Sequence, residues 1–187
     1  MPFTFAPAAI PGVVLVTART FADDRGRFSE SYQASAFAAA GIAEPFLQDN
    51  FSWSTKRGTL RGLHYQTPPF AQGKLVRCLA GRIFDVVLDL RRGSPTERRT
   101  GSFELDAEAG TMLWVPAGLA HGFQTLMDDC LVTYKTTAEY RPGHEAGIRW
   151  DDPALGIGWP VRPAIVTPRD AAFPLLAAIG PVDRTGQ

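Results

Sequence analysis

At 187 residues the chain is long enough for a single domain (1–187) with a substantial core, and its 45% apolar content excludes a disordered polymer. Lysine plus arginine equals aspartate plus glutamate at 19 each, so the formal net charge is zero. That balance excludes a general nucleic-acid surface, which needs a clear basic excess, though not a local arginine site for a phosphate.

The apolar stretch up to Val16 has no basic flank and is interrupted by Pro7 and Pro11, which argues against a signal peptide. No apolar run approaches the roughly 20 residues of a membrane-spanning helix, so a soluble cytoplasmic protein is expected. Residues 13–17 read as the first strand. Asp23-Asp24-Arg25-Gly26 is a turn signal, and residues 28–32 read as the returning strand. The alanine-rich stretch 34–40 ends at Gly41 and predicts a short helix with a glycine C-cap. Residues 46–53, 58–66 and 74–79 are further extended segments. Residues 83–90 alternate most clearly: Phe84, Val86, Leu88 and Leu90 share one face, and Asp85, Val87 and Asp89 the other. Arg91-Arg92-Gly93-Ser94-Pro95 closes that strand, and residues 102–105, 111–115, 122–126 and 131–137 continue the series. With 18 glycines and 15 prolines to make turns, this spacing predicts an all-β sandwich or barrel. Thr167-Pro168-Arg169-Asp170 opens a second short helix over 170–178, with threonine as N-cap, proline at N1 and an acid at N3. The tail after Ile179 is expected to fray. Cys78 and Cys130 lie in apolar runs and read as buried free thiols. Without a Cys-x-x-Cys pair, a thiolate zinc site is not expected.

Arg61-Gly62-Leu63-His64-Tyr65-Gln66 sets one of three histidines in a strand-like run beside an arginine. An imidazole, with an ordinary pKa of ~6.5, takes and returns a proton near neutrality, and a neighbouring arginine suits an anionic substrate. Gly110-x5-Pro116-x-Gly118-x2-His121 resembles the second motif of the cupin superfamily, a β-jelly roll. Metal-binding cupins add a His-x-His pair and a glutamate; here that place reads His64-Tyr65-Gln66, followed by Gln72 and Lys74. Two histidines without a third nitrogen ligand or a carboxylate make a poor divalent site, and Lys74 adds a positive charge, so no metal is expected. Tyr134 could deliver a proton to the face of a substrate carbon opposite His64, and removal on one face with return on the other inverts a stereocentre. Lys74 could stabilise an enolate oxygen, and Asp170 could accept a hydrogen bond from His64. Each has an ordinary alternative: a core histidine, a packed strand tyrosine, a solvated lysine, a helix-capping aspartate.

Phe21-x-Asp23-x-Arg25-Gly26, Gln48-Asp49-Asn50, Arg61-Gly62-Leu63-His64, Gln72-Gly73-Lys74-Leu75-Val76-Arg77, Pro116-x-Gly118-x-Ala120-His121-Gly122-Phe123, Tyr134-Lys135 and Asp170-Ala171-Ala172 together resemble the dTDP-4-dehydrorhamnose 3,5-epimerase family. The resemblance covers nearly the whole chain. It implies a cupin-type β-jelly roll with a few short helices, dimeric, without metal or organic cofactor. It implies a dTDP-4-keto-6-deoxyhexose substrate, whose C4 ketone acidifies the protons at C3 and C5. By resemblance, His64 is the general base, Asp170 its partner, Tyr134 the general acid, Lys74 the group facing the enolate and His121 a second histidine of the pocket. Arg25, Glu30, Gln48, Asp49, Asn50, Arg61, Glu145 and Arg169 fall where the family binds its nucleotide sugar, and Tyr140 is left for aromatic contact with the base. Phe21, Arg25 and Glu30 would reach the neighbouring subunit's site through an exchanged N-terminal strand. The chain departs from some members by having Glu139 before Tyr140, where they pair two aromatics, and Arg169, where they have lysine. Relatives with nearly the same motifs invert only C3 or only C5, and the motif residues do not separate these outcomes. The rivals are a metal-dependent cupin enzyme and a non-catalytic sugar-binding cupin. The missing His-x-His pair argues against the first, and base, acid and lysine occurring together argue against the second.

Overall fold

The computed structural model describes residues 2–180. In chain order the elements are β1 (Phe3–Pro7), β2 (Val14–Ala18), β3 (Thr20–Asp23), β4 (Gly26–Ser29), α1 (Ala34–Ala39), β5 (Gln48–Ser54), β6 (Leu60–Gln66) and β7 (Lys74–Ala80). There follow β8 (Arg82–Asp89), β9 (Thr100–Asp106), β10 (Thr111–Val115), β11 (Leu119–Thr125), β12 (Cys130–Thr136), β13 (Glu145–Gly147) and α2 (Pro168–Ala171). A six-stranded sheet runs β1-β2-β10-β7-β12-β5, a five-stranded sheet runs β13-β6-β11-β8-β9, and β3-β4 form a separate ribbon. The all-β sandwich expected from the strand spacing, in the jelly-roll form that the resemblance implies, is therefore the fold.

Side-chain alternation along each strand decides what fills the space between the sheets. Val76 and Cys78 of β7, Cys130 and Val132 of β12, Ile83 and Val87 of β8, and Phe123 of β11 share one buried cluster there. Both outer faces are also covered. Phe37 of α1, with Ile42, packs on Leu75, Met112 and Trp114 of the six-stranded sheet. Ile148, Leu155 and Leu176 pack on Leu63, Tyr65, Val86 and Leu88 of the five-stranded sheet. Each such aliphatic side chain contributes about 1.5–3 kcal/mol through burial, so the covering segments help hold the sheets in place.

Several expectations need correction. A strand, β1, precedes the one expected first at 13–17: Phe3 and Phe5 alternate briefly before Pro7, and both rings meet Phe37 edge-on at 5.2 Å. The helix expected over 170–178 is one turn, α2, followed by a separate 3-10 turn over Leu176–Ala178. Pro174 between them lacks the N–H that a continuous helix requires. The strand expected to run to residue 32 stops at Ser29. Helix α1 ends as expected, with Gly41 in the left-handed conformation at φ 86°. Cys78 and Cys130 are free and buried. The expectation of a frayed tail lies, from position 181 on, outside the described residues. No helix among the described residues is long and apolar enough to cross a membrane.

Candidate active site

The site lies between the two sheets, and a bulge in β6 builds it. β6 and β11 pair His64 with His121 and Arg61 with Phe123, so three steps on β6 oppose two on β11. The extra residue reverses the alternation. Arg61 and His64, an odd number of positions apart, consequently line the same cleft. The crossing needs glycine. Gly62 sits at φ 132°, and a Cβ there would fall 2.5 Å from the Cα of Gly122. Gly62→Ala is therefore expected to destabilise the protein by about 3 kcal/mol and to reduce activity with it, as read by thermal unfolding and turnover.

Asp170, on α2, turns its carboxylate back to β6. Oδ1 lies 3.0 Å from Nε2 of His64, and Oδ2 accepts the Gly62 N–H at 3.1 Å. Its own N–H donates to Thr167 Oγ1, so Thr167 is the N-cap the sequence predicts. The acid at N3 serves the histidine rather than the N-cap N–H. Burial alone would raise the Asp170 pKa, but hydrogen bonds from His64 and Gly62 outweigh it and hold the carboxyl below its ordinary value. Because the carboxylate engages Nε2, Nδ1 is the ring nitrogen left to exchange a proton. Phe173 holds the imidazole edge-on, with ring centroids 5.6 Å apart. That ring seats directly over Gly147, where a Cβ would come within 2.4 Å of it.

His64 comes from the five-stranded sheet; Lys74 and Tyr134 come from the six-stranded sheet opposite. All three line both lobes of one cleft, of about 280 and 410 Å³. Lys74 Nζ donates to the His64 carbonyl at 3.4 Å. Desolvation lowers the Lys74 pKa to about 8, against the opposing pull of the Glu145 and Asp85 carboxylates. Burial also raises the Tyr134 phenol, which stays protonated at neutral pH; nearby Arg61 partly opposes the rise.

Seven other expected residues line the cleft: Gln48, Asn50, Arg61, His121, Tyr140, Glu145 and Arg169. Gln48 Nε2 donates to Asn50 Oδ1 at 2.7 Å, and Gln48 Oε1 accepts the Tyr140 N–H at 2.8 Å. Glu145 accepts the Tyr140 hydroxyl at 3.0 Å and is ion-paired with Arg169. Four expected residues do not join them. Asp49 alternates to the outer face, where Lys135 Nζ donates to it at 2.8 Å. Phe21, Arg25 and Glu30 belong to the β3–β4 ribbon and its exit, away from this chain's cleft, and the Arg25 guanidinium folds back onto Asp23.

Sequence reasoning missed Asp85, whose carboxylate lies on His121, as well as Phe173 and Ser52. Asp85 did leave a signal, as a carboxylate inside a strand otherwise rich in apolar residues. Phe173 left none, because its contact with His64 depends on the path of the C-terminal segment. The donor set does not suit a metal: the cleft brings together two histidines with Lys74, whose ammonium would repel a divalent ion. Among the described residues no group of three histidine, cysteine or acidic side chains could hold one.

The arrangement offers a histidine base, a neutral phenol on the opposite wall and an ammonium near both, which suits proton abstraction next to a carbonyl. A family model described as dTDP-4-dehydrorhamnose 3,5-epimerase matches residues 7–178. The chain is 52% identical over 157 residues to the dTDP-4-dehydrorhamnose 3,5-epimerase of Pseudomonas aeruginosa, covering 83% of this chain and 86% of that one. It is similar to the crystal structure of dTDP-6-deoxy-D-glucose-3,5-epimerase from Legionella pneumophila in complex with dTDP-4-keto-L-rhamnose. The TM-score is 0.90 at 41% identity, over 95% of this chain and 94% of that one. It is also similar to a 3'-monoepimerase from Streptomyces bikiniensis in complex with dTDP-quinovose, with a TM-score of 0.88 at 36% identity, over 95% of this chain and 91% of that one.

Proposed function

This chain belongs to the dTDP-4-dehydrorhamnose 3,5-epimerase family, and from that premise we propose that it inverts C3 and C5 of dTDP-4-dehydro-6-deoxyglucose to give dTDP-4-dehydrorhamnose. The observation that carries this reading is that the His64–Asp170 pair and Tyr134 come from opposite sheets into one cleft that Lys74 also lines.

The C4 ketone acidifies the hydrogens on C3 and C5. His64 Nδ1 takes the C3 proton, and Asp170 stabilises the resulting imidazolium. The electron pair of the broken C–H bond moves into the C3–C4 enolate, whose charge develops on the C4 oxygen facing Lys74. Tyr134 gives its proton to C3 from the opposite face. Solvent then reprotonates the phenolate and receives the proton from His64, and the cycle repeats at C5. No electrons are gained or lost overall, so no redox cofactor is called for, and the charge that meets the enolate oxygen is the Lys74 ammonium. Positioned acid–base groups contribute about 10²–10⁴-fold, and a preorganised charge at the oxyanion about 3–4 kcal/mol.

Arg61 and Arg169 line the larger lobe, which supports assigning it the diphosphate, because guanidinium groups fork onto paired oxygens. Tyr140 lines the smaller lobe and supports a contact with thymine; Glu139 beside it offers no second ring. Gln48, Asn50, His121 and Glu145 would contact the sugar or nucleotide. A homodimer is part of the proposal, with Phe21, Arg25 and Glu30 entering the neighbouring subunit's site. The apolar surface of the six-stranded sheet's free edge and of the ribbon supports a covering partner: Phe51 is 76% exposed, Trp53 63%, Phe28 68% and Phe21 48%. We read the chain as one domain over 1–187. Its two free, buried thiols agree with a reducing cytoplasm.

A second reading, inversion at C3 alone, is favoured by the similarity to the S. bikiniensis 3'-monoepimerase. Proton NMR of the product from dTDP-4-dehydro-6-deoxyglucose decides. Ring couplings of a sugar inverted at both carbons support the first reading, inversion at C3 alone supports the second, and unchanged substrate overturns both. Tyr134→Phe is expected to keep hydrogen exchange at C3 while net product formation falls about 100-fold. Wild-type product yield from that variant would remove Tyr134 from the role of acid.

A further inference from the structure

Asp85 carries no exposed surface and is set on β8 between Ile83 and Val87 of the inter-sheet core. Its two oxygens lie 3.0 and 2.9 Å from Nε2 of His121. A carboxylate in such a wall persists only with charge or hydrogen-bond partners. Burial pushes its pKa up, and His121 and Lys74 pull the other way. The β6–β11 register sets His121 directly opposite His64. Two imidazole–carboxylate pairs therefore stand side by side on one strand pair, both facing the same cleft. The mechanism above uses only one of them.

We propose that Asp85 is a positioning residue for the epimerisation, fixing His121 through Nε2 so that the ring presents Nδ1 as an acceptor for a sugar hydroxyl, and holding a negative charge behind Lys74. The proposal rests on the epimerase reading. The first effect is geometric. A carboxylate on Nε2 selects the tautomer with the proton on that nitrogen, as a buried aspartate does for a catalytic histidine. The second is electrostatic. Lys74 is faced by the His64 carbonyl from β6, Asp85 from β8, His121 from β11, Tyr134 from β12 and Glu145 from β13. Asp85 and Glu145 are the carboxylates that favour its ammonium form. Asp85→Asn keeps the shape and removes the charge, so Lys74 should lose its proton at lower pH.

The test compares wild type, Asp85→Asn, His121→Ala and the double variant by deuterium exchange into dTDP-4-dehydro-6-deoxyglucose across pH 6 to 10. Asp85→Asn is expected to lower kcat about tenfold or more with KM changed less than threefold. Its alkaline limb should move down by about 1 pH unit. In the His121→Ala background the remaining effect of Asp85→Asn should be smaller than in wild type. Asp85→Asn with wild-type kcat and an unmoved limb overturns the proposal while wild-type exchange leaves the epimerase reading standing. Absence of exchange in wild type overturns the reading beneath it. If Asp85→Asn does not fold, nitrogen-15 shifts of the wild-type histidines decide. A proton on Nε2 of His121 supports the proposal, and a neutral ring protonated on Nδ1 overturns it.

Discussion

His64→Asn is expected to abolish deuterium incorporation at C3 and C5 of the dTDP-4-keto sugar, a loss of about 10³-fold or more, with folding preserved. The asparagine amide is too short to replace the Nε2 contact with Asp170, but the Gly62 N–H still donates to the other carboxylate oxygen and Thr167 still caps α2, so the strand and α2 stay joined. What disappears is the imidazole nitrogen that takes the proton in this mechanism and gives it up again. A structural histidine would give the opposite pattern, with lower melting temperature and little change in exchange per folded molecule. Unaltered exchange in His64→Asn would remove His64 as the base.

Lys74→Met should do two things at once. Loss of the ammonium facing the developing C4 oxyanion should lower kcat about 10²–10³-fold. The same substitution should make the protein more stable at pH 7. The folded-state pKa of Lys74 is brought down to about 8 from an ordinary 10.5, so the native state carries the cost of a desolvated ammonium. Between these two values the unfolded chain keeps a proton that the native state has released, so stability rises with pH across that window. Below about 8 the full cost is present. Because the side chain borders the cleft and some water reaches it, the relief in Lys74→Met is on the order of 2 kcal/mol at pH 7. The gain should shrink as the pH climbs from 8 toward 10.5. Thermal unfolding from pH 7 to 10 reads it directly, and wild-type kcat/KM should separately decline above about pH 8 as the ammonium is lost. A variant less stable than wild type at pH 7 would contradict the expected stabilisation, and one with normal kcat would contradict the oxyanion role.

How much of the cleft could be read in advance varied by residue, for physical reasons. Lys74 and Tyr134 follow from regular alternation: each shares a face with apolar neighbours at two-residue steps, Val76 and Cys78 for the lysine and Val132 and Cys130 for the tyrosine. Arg61 and His64 do not follow from alternation, because only the bulge at Gly62 brings them to one face. The positive φ of Gly62 and its approach to Gly122 are properties of two strands in contact, and neither strand alone reveals them. Spacing alone favoured a capping role for Asp170. Its carboxylate is instead taken by a histidine more than a hundred residues away in sequence. Ala177 and Ala178 favour a helix to 178, but Pro174 has no N–H to donate and separates α2 from the 3-10 turn that follows. Phe21 and Arg25 lie on the ribbon and Glu30 just past it, outside this chain's cleft, so any part they play depends on a second copy.

The central claim is that carbon-bound hydrogen at C3 and C5 leaves and returns through a base and an acid on opposite walls. The most direct measurement is a proton NMR time course of wild-type protein with dTDP-4-dehydro-6-deoxyglucose in deuterated water. The expected result is loss of the C3 and C5 proton signals as solvent deuterium enters, accompanied by the inverted product. Inverted product that retains its original hydrogen at those carbons, or substrate that never exchanges, would contradict it.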